Sequence, residues 1–121
     1  MIDIKNKVSI WLANFTTEEK LEEYLEFRYS ELEDLPRSNF IDDFEIEYYD
    51  EDFQEAYCAN NISSVKELLD PISYSESFIY KVGDTSDSQC NSVVAIYNYK
   101  YVNQKQGTDN IQFLGVFDYD S

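Results

Sequence analysis

The chain has 121 residues, 25 of them acidic and 9 basic, for a net charge of −16 and no histidine. That balance repels nucleic acid and anionic membrane, since phosphate binding needs clustered Lys or Arg, and it points to basic partners or divalent cations. A hydrophobic content of 43% and an aromatic content of 17% can build a core in one domain, 1–121. The opening Met1-Ile2-Asp3-Ile4-Lys5 has no apolar run of signal-peptide length, so a cytoplasmic protein is expected, with no membrane partner. Cys58 and Cys90 are read as small buried hydrophobes with free thiols; a disulfide between them stays open.

In chain order, Lys7 to Leu12 predicts a strand, with Val8 and Ile10 on one face and Trp11 on the other. Trp11 is expected in the core, its alternative being an exposed interface anchor. Thr16-Thr17-Glu18-Glu19 predicts a helix capped by Thr16, with Phe15 packed on its first turn and an end near Tyr29. Leu21, Tyr24 and Leu25 form its buried stripe, and Glu22, Glu23 and Glu26 its wet face. Ser30 to Ser38 reads as a surface loop. Phe40, Ile41 and Phe44 suit a short helical turn, and Glu45 to Tyr49 alternates like a half-exposed strand.

Asp50 is expected to cap a helix from Glu51 to about Cys58, broken at Asn60-Asn61. Ser64-Val65-Lys66-Glu67 predicts a further short helix closed by Pro71. Ser73 to Val82 reads as a helix, although Phe78, Tyr80 and Val82 also alternate. Gly83 to Asn91 is a polar loop. Ser92 to Val102 is the clearest strand, placing Tyr97, Tyr99 and Tyr101 on one face. Ile111 to Tyr119 is expected to return beside it. The fold class is therefore α+β, a mostly antiparallel sheet with helices packed on it and a C-terminal β-hairpin.

The densest charge lies between Phe40 and Glu55. Asp42, Asp43, Glu45, Glu47, Asp50, Glu51, Asp52 and Glu55 are threaded with Phe40, Ile41, Phe44, Ile46, Tyr48, Tyr49 and Phe53, and no cation interrupts them. Disordered acidic segments are poor in such aromatics, so these carboxylates are expected to be held on an ordered surface. The candidate partner-binding set is those eight acids with Tyr49; Asp42, Asp43, Glu47 and Asp52 are the sharper choices. The competing reading is a solvated face that confers solubility.

Catalytic chemistry is poorly supplied. Without histidine the commonest general base and metal ligand are missing. Gly83, Gly107 and Gly115 are isolated, so no phosphate loop is present. Asp50-Glu51-Asp52 lacks the glycine turn and terminal bidentate Glu of a calcium loop. No catalytic residue, cofactor or metal is expected. A carboxylate-based metal-binding protein or enzyme, and an acidic adaptor, stay open as alternatives.

Four blocks carry a resemblance: Val8-Ser9-Ile10-Trp11-Leu12-Ala13-Asn14-Phe15, Phe44-Glu45-Ile46-Glu47-Tyr48-Tyr49-Asp50-Glu51-Asp52-Phe53, Ser73-Tyr74-Ser75-Glu76-Ser77-Phe78 and Asn91-Ser92-Val93-Val94-Ala95-Ile96-Tyr97-Asn98-Tyr99. Together they resemble the immunity protein 22 family of bacterial polymorphic toxin systems. Ala13 stands where the resemblance leads one to expect Gly. The resemblance implies a non-enzymatic α+β protein, made beside a toxin, that binds and neutralises its toxic domain. The toxin is expected to be basic, a nuclease by the family's usual association, and the inhibitor a monomer or weak homo-oligomer.

Overall fold

The structure, a computed structural model, describes residues 6–59, 64–82 and 90–120. Four strands form one antiparallel sheet: β1 (Lys7–Ala13), β2 (Gln54–Cys58), β3 (Ser92–Tyr97) and β4 (Ile111–Asp118), in the order β2-β3-β1-β4. Every neighbouring pair is antiparallel, and β1 lies against both β3 and β4. The α+β class holds. The expected C-terminal hairpin does not, because β1 separates its two strands. Asn98 takes a left-handed backbone (φ 55°) and turns the chain out of the sheet. The segment after it is tied to β1, with Ser9 Oγ accepting from the Tyr101 amide at 2.9 Å and donating to the Tyr99 carbonyl at 2.8 Å. The chain thus crosses to the far edge of β1, where β4 finds unpaired backbone groups.

Both faces of the sheet are covered. Val8, Ile10 and Leu12 of β1 join Val93 and Ala95 in one core, while Trp11 and Ala13 join Val94 and Ile96 in the other. That is the two-residue alternation of a strand buried on both sides. The first core lies under α3 (Val65–Leu69) and two single 3-10 turns, Ser75–Ser77 and Ile79–Lys81. The second lies under α1 (Glu18–Leu25) and α2 (Asn39–Phe44). There Trp11, fully buried, meets Phe40 edge-on at 4.9 Å and Tyr101 at 5.2 Å, with Phe113 tilted at 5.1 Å. Trp11 is a core residue, as expected, and its Nε1 has no hydrogen-bond partner among the described residues.

Helix ends follow their caps. Thr17, one residue later than expected, accepts the Lys20 amide at 3.2 Å, and α1 stops at Leu25 rather than Tyr29. The stop coincides with a backbone bridge between Arg28 and Arg37, with N···O distances of 2.6 and 3.0 Å, which closes the 30–38 loop. Ser38 caps α2 through the Ile41 amide and Ser64 caps α3 through the Glu67 amide. The α2 carbonyls at Phe44 and Glu45 accept from Tyr101 and Asn103 of the connection to β4. Ala13 has no positive φ; it pairs with Ser92 and Ile111 in extended β1, so glycine's freedom is not needed there.

Four local expectations are corrected. Glu45 to Tyr49 is not a strand: Glu45 takes the left-handed C-cap position (φ 56°), and the Ile46 amide returns to the Ile41 carbonyl at 3.0 Å. Burial there falls on Ile46 and Tyr49, three apart, while Tyr48 faces solvent. The expected helix from Glu51 to Cys58 is one 3-10 turn (Glu51–Phe53) followed by β2, since β3 presents an open edge that pairs with Gln54 to Cys58. Asp50 caps that turn as expected, accepting the Asp52 amide at 3.0 Å. Residues 73–82 form two separate 3-10 turns with Tyr74 in the left-handed region, not one helix. β3 ends at Tyr97, so Tyr97 and Tyr101 fall in opposite cores. The Asn60-Asn61 break and the 83–89 part of the polar loop lie outside the described residues.

Candidate functional site

The carboxylates between Phe40 and Glu55 do not form one array. Asp42 is held by two guanidinium groups, with Arg37 Nε at 2.8 Å and Arg28 at 3.3 Å. Asp43 accepts the Tyr24 hydroxyl at 2.7 Å. Burial, then that bond to Asp43, hold the Tyr24 hydroxyl well above the ordinary tyrosine value. Both acids therefore brace α2 against α1 and the closed loop. Tyr49 is 2% exposed and donates to Gln54 Oε1 at 2.5 Å, so it supports the surface from below. Glu55 is half-buried and accepts the Ser73 amide at 3.0 Å. Glu45, Glu47, Asp50, Glu51 and Asp52 are exposed.

The exposed members are joined by acids from elsewhere. Between α1 and the β2 edge runs an open groove of about 510 Å³, lined by Glu19, Glu22, Glu23, Glu26 and Glu51, with Gln54 and Ala56 of β2. Leu21 and Leu25 fix α1 on the aromatic core, which presents the glutamates at i, i+3, i+4 and i+7 along one ridge. Lys20 pairs with Glu23 at 3.6 Å, and both side chains are exposed. Among the described residues, no cation lines the groove itself. In such a place each added negative charge deepens the negative potential that draws in a cation.

Sequence reasoning saw the α1 glutamates as a wet face and missed the groove. The signal was present in their spacing, but its second wall is β2, which was expected to be a helix. The turn Glu51–Phe53 distributes its acids to two sides: Glu51 lines the α1 groove, while Asp52, with Glu55, lines a separate cavity of about 400 Å³ beside Tyr74, Tyr97 and Tyr119. Among the described residues, no group of three or more His, Cys, Asp or Glu is placed to hold a metal ion. Among them too, no helix is long and apolar enough to cross a membrane. Cys58 is a half-buried free thiol against the Phe15 carbonyl at 3.7 Å.

The immunity protein 22 family model matches residues 8–120 of the chain. No curated protein and no solved structure matches it. The matched segment takes in β1 from Val8 onward, β2 to β4, α1 to α3, the α1 groove, and every lining residue of the second cavity except Asn6. The chain therefore belongs to the immunity protein 22 family, whose role is immunity through binding a cognate toxin.

Proposed function

We propose that this protein acts in the cytoplasm of the producing cell by binding a basic toxin domain, a nuclease, as a stoichiometric inhibitor without enzymatic activity. The observation that carries the reading is the α1–β2 groove, lined by five glutamates and, among the described residues, no cation. A nuclease surface must be basic to hold phosphate. An acidic ridge mimics the charge of that substrate and draws the toxin in faster than uncharged surfaces would associate. Exposed Glu47, Asp50 and Asp52 extend the same field around the turn that leads into β2. Asp42 and Asp43 contribute less, because their charge is already shared with Arg28 and Arg37 or with Tyr24.

The test is association kinetics against the toxin domain encoded beside the gene, at low and high NaCl. The on-rate is expected to fall at least about tenfold with salt. The combined variant Glu22→Lys, Glu26→Lys, Glu51→Lys is expected to slow association at low salt with an unchanged circular dichroism spectrum. If that variant associates as fast as the parent and protects cells as well, the groove is not the contact surface.

A further inference from the structure

The cavity on the other side of the Glu51–Phe53 turn has a chemistry the groove lacks. Its wall is aromatic. Tyr74 stacks on Tyr119 with centroids 5.2 Å apart and planes 21° from parallel, and Tyr97 stands edge-on to Tyr119 at 5.1 Å and 89°. The hydroxyls of the two inner rings are committed to the protein: Tyr97 donates to the Ser73 carbonyl at 2.5 Å and Tyr119 to Asn98 Oδ1 at 2.8 Å. Those two rings are each only 6% exposed, so the aromatic surface open to an occupant belongs to the rings at the mouth. Tyr74 and Phe53 are each 46% exposed at the mouth. Tyr74 holds a left-handed backbone (φ 60°), uncommon for a bulky side chain.

The rim is acidic. Asp52 and Glu55 line the same cavity, and among the described residues no Lys or Arg does. One Glu55 oxygen accepts the Ser73 amide, which fixes the carboxylate in place. Asp52 is in no ion pair among the described residues. Aromatic faces beside fixed carboxylates attract a cation and reject an anion. A neutral apolar group would desolvate the carboxylates with nothing to replace water. Among cations, a planar guanidinium suits this cavity better than an ammonium, because it can stack on a ring while its edge donates to a carboxylate.

We propose that this cavity is a receptor for one arginine side chain of the basic protein partner. The inference rests on the reading of the chain as a binder of a basic protein, and it names the group that is held and the place that holds it. The groove supplies long-range attraction; the tyrosine cup supplies a short-range, geometry-dependent anchor.

The test uses N-acetyl-arginine methylamide as the probe, with the lysine and citrulline analogues beside it, in an amide NMR titration of the whole chain. Arginine is expected to give saturable shifts at Asp52, Phe53, Tyr74 and Asn98, stronger than lysine, and citrulline none. Tyr74→Ala is expected to weaken arginine binding roughly fivefold, the scale of one cation–π contact. Tyr74→Phe keeps the ring face and the binding. Arginine shifts that do not saturate and spread equally along α1, or equal shifts from citrulline, would overturn the cup. Toxin association that falls with the glutamate reversals but ignores Tyr74→Ala also overturns it, and leaves the proposed function standing.

Discussion

On one face of the sheet Trp11 sits among Phe40, Phe44, Tyr101 and Phe113 beneath two capped helices; on the other, Val8, Ile10, Leu12, Val93 and Ala95 lie beneath one short helix and two single turns. The helical face gains its order from ring packing, with side-chain donors from Tyr101 and Asn103 at the end of α2. The other face relies on such donors more widely, because isolated turns leave carbonyls without regular partners. There side chains complete the bonding: Tyr57 donates to the Leu68 carbonyl, Tyr97 to that of Ser73 and Ser75 to that of Asp70. The difference separates the two proposed binding surfaces as well. The acidic ridge rests on a stiff aromatic layer, whereas the tyrosine cup is built from the same residues that tie down the turns.

The largest test of this contrast is Trp11→Ala. Removing a fully buried ring from the centre of the aromatic face is expected to cost about 3–5 kcal/mol in urea denaturation. A loss below about 2 kcal/mol would show that the neighbouring rings close the gap and that the face is not held by packing.

Tyr97→Phe sharpens the comparison from the other side. It leaves the Ser73 carbonyl without its donor and is expected to cost about 1–3 kcal/mol. Tyr49→Phe on the helical face frees Gln54 Oε1, a half-buried atom that water can reach, and is expected to cost about 1 kcal/mol or less. Equal losses, measured by the same denaturation, would erase the distinction between the faces.

Alkali should strike both. Burial pushes Tyr99 up to about 12 from an ordinary 10.0, and holds Tyr24, Tyr49 and Tyr97 well above that ordinary value too. Folded values above unfolded ones mean that the stabilisation is complete below pH 10. As pH rises from 10 towards 12 the unfolded chain ionises first and stability is lost. The tyrosinate absorbance contributed by these four should therefore appear together with the loss of circular dichroism. Early ionisation of these tyrosines in a chain that stays folded would contradict their burial.

The smallest effect is expected where charge alone changes. Glu22→Lys, Glu26→Lys and Glu51→Lys sit on the exposed ridge, so the stability change should stay within about 0.5 kcal/mol for each. Any shift should favour the variant, since it relieves self-repulsion at a net charge of −16. Thermal melts in low and high salt would check this. A large destabilisation would mean that the ridge braces the fold rather than facing a partner.

Much of the chain was legible before folding because the controlling interactions are local. Asp50 and Ser64 cap the turns they were expected to cap, since the side chain and the amide it meets are only two or three residues apart. Alternation identified β1 and β3, and helical spacing identified α1 and α2, because periodicity is a property of neighbours. The matching blocks around Trp11 and from Phe44 to Phe53 pointed to the family. What stayed hidden depended on partners distant in sequence. Gln54 to Cys58 is a strand because the edge of β3 is open to it, and β1 parts the two C-terminal strands because Asn98 turns the chain away. The carboxylates show the same division most clearly. Their number and density are written in the residues between Phe40 and Glu55. Which of them are left for a partner follows from where Arg28, Arg37, Tyr24 and Ser73 come to lie, and a charge is neutralised by what is near it in space.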